Sequence, residues 1–297
     1  MVAFQDLRTE SGETLQQELT VNKREGLNKF TVVVNLSIKK CVQMMRELLF
    51  FDEFEEIFLK ESKKFYLDDG NTSVFDSMEL SDYLIYVKEL LAYNGSLCGV
   101  YFNCTKFKLA SVLEECLVKA SQGKMLGERL TETEENPFYS LLDNVESDNK
   151  SSLSIAYDLL RKINGLEAMK NRIEAWGKLR GLSFINDGNP IPNLVQLHGK
   201  LCKIAVIIEK KSITKDIMES VLNEGRENKI PHALAKQFNA VLSKKEHTEL
   251  ETLSSLFTLF TYLVNKDVFG AHYRRFLGRR LLHGSSKSLD IERSMLG

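Results

Sequence analysis

Two places in the chain carry side chains whose types and spacing could support chemistry. His198 and Cys202 lie four residues apart, which brings an imidazole and a thiol to one face of a helix where they could share a zinc ion. Zinc needs further ligands, however, and no partner pair of Cys or His stands nearby in the sequence, so the spacing reads as a buried cysteine beside a surface histidine. The second place is Tyr273-Arg274-Arg275-Phe276-Leu277-Gly278-Arg279-Arg280-Leu281-Leu282-His283, the sharpest local concentration of positive charge. On nucleic acid, these arginines would neutralise phosphates while Tyr273 stacked on a base. In a packed or protein-binding helix, Phe269, Tyr273, Phe276, Leu277 and Leu281 would form the apolar stripe and the arginines its rim. A solvated basic face is the third reading.

Other chemistry has no sequence support. Neither GxxxxGK[ST] nor GxGxxG occurs, and Gly284-Ser285-Ser286-Lys287 lacks the strand and glycine spacing of a phosphate cradle. His232, His247, His272 and His283 have no Ser, Cys or acidic partner at a recognisable catalytic spacing. No catalytic residue, cofactor or metal is expected, and the chain does not read as an enzyme. Lys plus Arg number 40 against 41 acidic residues, a net charge of -1, so no global field draws the chain to nucleic acid or anionic lipid. The 5 cysteines show no CxxC spacing and no basic stretch precedes an apolar leader, which points to a reducing compartment, cytoplasm or nucleus. Apolar runs are too short to cross a bilayer.

The elements that must position these residues are helical. Leu153, Tyr157, Leu160, Ile163, Met169, Ile173, Trp176 and Leu179 recur in steps that fit one long helix, with Ser151 and Ser152 at its start and Gly181 at its end. Leu250, Leu253, Leu256, Phe257, Phe260, Leu263 and Val264 form a second stripe. Helices are also expected over 53–65, 82–91, 107–117, 194–209 and 213–222, and from Pro231 onward. Asn94-Gly95 and Gly99 should interrupt the stretch between 82–91 and 107–117, and 186–192 should be a turn and extended linker because of its Gly and two prolines. Residues 132–137 and 143–150 suit exposed connections. Only Thr31 to Val34 has marked β-branched character, too little for a sheet. The fold class is all-α, an irregular bundle or a solenoid of stacked helical units.

Several phrases resemble one family. Asn265-Lys266-Asp267-Val268-Phe269-x3-Tyr273-x3-Leu277-x-Arg279-Arg280-Leu281-Leu282, followed by Ser286-x-Ser288-x-Asp290-x-Glu292-x-Ser294-Met295-Leu296, resembles the segment that opens the C-terminal half of cullins. Phe54-Glu55-x2-Phe58-Leu59-x5-Phe65-Tyr66 resembles the start of the second cullin repeat, and Tyr157-x-Leu159-Leu160-Arg161-x-Ile163-x-Gly165-Leu166 a phrase of the third. The resemblance implies a stalk of five-helix repeats that performs no chemistry and holds a substrate adaptor at one end and a RING protein at the other. In that frame 1–45 would be the remnant of a first repeat, 46–148 the second, 149–244 the third and 245–297 the start of the C-terminal bundle.

The family-motif residues on which interaction would rest are Phe54, Phe58, Phe65, Tyr66, Lys266, Asp267, Phe269, Tyr273, Leu277, Arg280, Leu281 and Leu282. The implied partners are subunits of a multisubunit RING-type ubiquitin ligase acting in ubiquitin-dependent proteolysis. With most of a first repeat and most of a C-terminal half outside this sequence, adaptor and RING binding by the chain alone are not expected. Its last helix should then expose Phe269, Phe276, Leu277 and Leu281. Gly270 and Gly278 within that helix should loosen it.

Overall fold

The computed structural model describes residues 38–67, 78–101, 106–127, 136–145, 150–186, 188–224, 229–243, 250–286 and 293. All regular structure among them is helical. Thr31 to Val34, the linking stretches 132–135 and 146–149, and most of the Ser286 to Leu296 phrase lie outside the described residues. The chain divides into two compact units, Met1–Thr72 with Glu89–Leu113, and Ser73–Lys88 with Glu114–Gly297.

In the first unit a helical segment over 38–47 turns through Leu49, whose φ is 63°, into α1, Phe51–Leu67. Asp52 and Glu53 in its first turn and Lys64 in its last complement the helix dipole. Helix α2, Leu80–Tyr101, runs straight through Asn94-Gly95 and Gly99, where the sequence suggested an interruption. The reason is local: Asn94 is buried and its amide donates to the Leu90 carbonyl at 2.8 Å, a bond made within the helix rather than against it. Helix α3, Lys106–Leu113, packs on α1, and the buried Glu55 carboxylate receives the Lys108 ammonium across that contact.

The second unit opens with the first turns of α2 and with a π-helical turn, Glu114–Lys119, closed by the Ala120 amide donating to the Glu115 carbonyl at 3.1 Å. The buried Tyr83 hydroxyl donates to the Leu117 carbonyl at 2.9 Å and ties the two together. A short α4, Gln122–Met125, precedes α5, Pro137–Asp143, where Asn136 accepts from the Phe138 amide at 2.9 Å and Pro137 occupies a position that needs no donor.

The stripe expected to form one long helix is broken. Helix α6 is Lys150–Lys162 and α7 is Leu166–Ile185. Between them Asn164 takes a left-handed φ of 57°, and the Gly165 amide returns to the Leu160 carbonyl at 2.8 Å. Nor does Gly181 end a helix. It lies inside α7 with Gly177, and both face α9, Ser212–Leu222: a Cβ on Gly177 would stand 2.8 Å from Ile217 Cγ2, and one on Gly181 would stand 2.5 Å from both Val221 methyls. The two glycines let two backbones approach.

Helix α8, Pro190–Ile207, takes Pro190 and Pro192 into its first turn rather than into an extended linker. Pro190 and Ile191 are buried there, which fixes a rigid helix start against the core. Helices α7, α8 and α9 pack on one another, and α8 also meets α10, Ile230–Ser243, and α11, Leu250–Thr261. Their facing residues, among them Ile173, Trp176, Leu201, Ile217, Leu234 and Phe238, are fully buried. Each such side chain contributes about 1.5–3 kcal/mol. Asp143, expected on an exposed connection, instead closes α5 and receives the Trp176 indole N–H at 3.2 Å and the Arg180 guanidinium, while Lys200 donates to its carbonyl at 2.9 Å. The last helix, α12, is Lys266–Leu282.

Candidate protein-interaction surface

Helix α12 carries the basic run, and among the described residues its pairing with α10 is the most extensive between helices. Its register is set from the preceding turn. Asn223, just past α9, donates to the Tyr262 carbonyl at 2.9 Å and accepts from the Val264 amide at 2.8 Å, so one side chain reproduces a pair of backbone bonds and holds the approach to α12. The expected α11 helix therefore ends at Thr261 instead of continuing to Val264, and Leu263 is buried while Val264 is exposed.

From that anchor, Phe269 enters an aromatic cluster. Its ring lies 5.6 Å from Phe238 at 71°, 4.8 Å from Phe260 and 5.8 Å from Tyr273, and Phe238 meets Phe257 edge-on at 5.4 Å. Edge-to-face pairs of this kind add to the gain from burial alone. Lys266 lies over the Phe260 ring at 5.5 Å, and Asp267 in the first turn faces solvent near the positive end of the helix dipole. Phe269, Tyr273 and Leu277 are buried, so the apolar stripe has a partner and is not the open patch that the sequence suggested.

The basic run divides in two. Arg274, Arg275 and Arg279 are exposed. Arg280 is 2% exposed: its Nη1 donates to Asn239 Oδ1 at 2.8 Å, its Nη2 to the Tyr273 hydroxyl at 3.4 Å, and its guanidinium lies 5.4 Å from the Tyr273 ring centroid. Arg280 is therefore part of the packed stripe rather than its rim. Leu281 is the reverse case, 48% exposed where the stripe reading had it packed, and Leu282 is 86% exposed. The cause is helical phase: Phe269, Tyr273, Leu277 and Arg280 follow steps of four, four and three, which leaves no inward place for the two leucines after them. Sequence reading missed Asn239, whose only signal was its position one residue after Phe238.

Helix α12 is unbroken across Gly270 and Gly278, against the looseness expected of them. Nothing lies within 4 Å of a Cβ built on Gly278. Gly278→Ala is accordingly expected to stabilise the second unit by about 0.5–1 kcal/mol, read as a rise in the urea midpoint at unchanged slope.

In the first unit the motif aromatics lie along α1. Phe54 stacks on Phe58 at 6.0 Å, Phe65 meets Tyr66 edge-on at 5.1 Å, and all four are half-buried. Phe51 and Glu55, neither of them among the motif residues on which interaction would rest, are the buried residues of the helix.

The His198 and Cys202 pair is brought together but not as expected. Cys202 is exposed and His198 is half-buried, its Nε2 within 3.2 Å of the Tyr262 hydroxyl and 3.6 Å of Cys202 Sγ. Partial burial holds the thiol above its ordinary range, and the hydroxyl of the buried Thr214 offsets this in part. Among the described residues no three of His, Cys, Asp and Glu come together as a metal-holding group.

Burial holds His198 below its ordinary value of 6.5. Below that value the unfolded chain takes up the proton that the folded one resists, so more protons are bound in the unfolded state and stability is lost as the pH is lowered. Acidification from pH 6.5 should destabilise the second unit, and His198→Gln should flatten that part of the profile. Urea midpoints taken between pH 7.5 and 5 measure it.

Helices packed on one another, with the basic run of the last helix partly turned inward, define an all-helical protein. The family model described as the cullin alpha solenoid domain matches residues 13–297, and the chain belongs to the cullin family. It is similar to Cullin-4 of Dictyostelium discoideum, 28% identical over 273 residues, covering 87% of this chain and 32% of that protein. It is similar to human Cullin-4A at 26% over 275 residues, covering 87% and 35%, and to Dictyostelium Cullin-5 at 24% over 327 residues, covering 99% and 42%. The chain thus spans about a third of the length of the curated relatives it matches. No helix among the described residues is long and apolar enough to cross a membrane.

Proposed function

We propose that this chain is a scaffold segment of a multisubunit RING-type ubiquitin ligase, performing no chemistry of its own and serving ubiquitin-dependent proteolysis in the cytoplasm or nucleus. The observation that carries the reading is the cullin solenoid match across 13–297. Its physical contribution would be stiffness. A stalk raises the rate of transfer by holding two partners at a fixed separation, which replaces a bimolecular encounter with a high effective concentration. The close α7–α9 approach and the Asn223 anchor suit that role because neither leaves a long free linker between helices.

On this reading 46–148 and 149–244 are the second and third repeats, 1–45 belongs to a first repeat, and 245–297 begins the C-terminal bundle. Two separate surfaces would meet other ligase subunits: α1 of the first unit through Phe54, Phe58, Phe65 and Tyr66, and α12 of the second through Lys266, Asp267, Leu281 and Leu282, with Phe269, Tyr273, Leu277 and Arg280 holding α12 in place. Affinity purification of the tagged chain, followed by mass spectrometry, should recover ligase subunits held through α1 or α12 rather than an adaptor or RING protein bound directly, and the purified chain should not itself discharge ubiquitin from a loaded conjugating enzyme. A folded chain that recovers no ligase subunit, or that discharges ubiquitin alone, overturns the reading.

A further inference from the structure

Two histidines that are 40 positions apart in the sequence meet on the α10–α12 pair. The rings of His232, in the first turn of α10, and His272, in the middle of α12, have centroids 4.8 Å apart at an interplanar angle of 73°. The only other described neighbour in ring contact is Phe276, 6.1 Å from His232. Neither imidazole is committed to a hydrogen bond among the described residues, unlike His198, whose ring nitrogens face Tyr262 and Cys202. His232 is exposed and His272 half-buried, so an ion from solvent can reach both.

The spacing has a chemical meaning. A divalent ion bound at about 2.0–2.1 Å by one nitrogen of each ring, on neighbouring coordination positions, holds the two centroids roughly 4.5–5.2 Å apart. The observed 4.8 Å falls within that interval, and a steep angle between the rings is compatible with two ligands on one ion. We propose that His232 and His272 form a two-nitrogen clip for a borderline divalent ion such as Zn²⁺ or Ni²⁺, which imidazole favours, with water filling the remaining positions and the bound ion fastening α12 to α10.

Lys236, one turn along α10, and Arg275, one turn along α12, place positive charge nearby, and with only two protein ligands the site is weak and exchangeable. Because the two ligands come from different helices, however, folding brings them together, and an ion that binds the folded pairing more tightly than the Cys and His of the unfolded chain raises the stability of that pairing.

The test is thermal unfolding of the full chain titrated with Zn²⁺ and, separately, with Ni²⁺. At a hundredfold excess over the dissociation constant the midpoint should rise by about 5 °C, and EDTA should reverse the rise. His232→Gln and His272→Gln should each abolish it, with each variant's ion-free midpoint as its own baseline, whereas Cys202→Ser should retain it. A midpoint that does not respond, a rise that survives either histidine substitution, or one lost with Cys202→Ser overturns the clip. None of these outcomes bears on the ligase reading, which rests on partner recovery.

Discussion

Replacing Gly181 with valine is expected to lower the stability of the second unit by about 3 kcal/mol, an effect at the upper end for overpacking in a close-packed interior. The added Cβ would stand 2.5 Å from both methyl carbons of Val221, a distance that cannot be kept, and its own methyls would reach further. Val221 is fully buried and has no open side into which to turn. Either α9 is pushed away from α7, which opens voids beside Ile217 and Trp176, or α7 bends. Gly181→Ala meets the same contact with one carbon. Its gain in helix propensity of about 1 kcal/mol offsets part of the clash, leaving a net loss of about 1–2 kcal/mol. The decisive measurement is a double-mutant cycle. Val221→Ala alone removes buried methyls and should cost about 2 kcal/mol, but in the Gly181→Ala background it also relieves the clash, so the two changes should couple by about 1–2 kcal/mol. Denaturant midpoints that add without coupling would show that the glycines do not set the helix approach.

The same glycines show where sequence reading stops. A Gly at the end of a periodic stripe has two meanings, a helix terminus or a close crossing, and only the residue on the opposing helix decides between them. Asn-Gly pairs carry a similar ambiguity. Asn94-Gly95 looked like an interruption and is helical, because Asn94 is buried and bonds back to Leu90. Asn164-Gly165 lay inside a stripe whose steps of three and four continued on either side, yet it is the true break, with Asn164 left-handed. Much of what period governs was legible: the all-helical class, the helices starting near Pro231 and spanning most of 194–209 and 213–222, and the inward Phe269, Tyr273 and Leu277 of α12. Features that depend on residues far apart in sequence left no pattern to read. Asn223 anchoring the turn before α12, and His232 meeting His272, are of this kind.

Arg280 is the sharpest instance, because a charged residue in a basic run reads as surface. Its burial predicts a large and specific cost on removal. Arg280→Ala leaves a cavity under Tyr273, removes the cation–ring contact and strips Asn239 Oδ1 and the Tyr273 hydroxyl of a donor, for an expected loss of about 3 kcal/mol. Arg280→Lys keeps the charge but cannot span both acceptors with a planar fork, and should recover only part of that loss. Arg280→Met fills the volume without burying a charge, and should be the mildest of the three if desolvation of the guanidinium cancels most of what its bonds contribute. Asn239→Ala leaves the guanidinium buried and short of an acceptor, which should cost about 2 kcal/mol. Urea midpoints would rank the four. The order Ala worse than Lys worse than Met assigns Arg280 a filling and fastening role in which charge is incidental, whereas Met as damaging as Ala would mean that the positive charge itself holds α12 on α10. In either case the exposed arginines answer a separate experiment: any salt-dependent nucleic-acid binding should fall on removal of Arg274, Arg275 or Arg279. It should be insensitive to Arg280→Met so long as the fold is kept, because a guanidinium bonded to Asn239 and Tyr273 beneath the surface has no phosphate to reach.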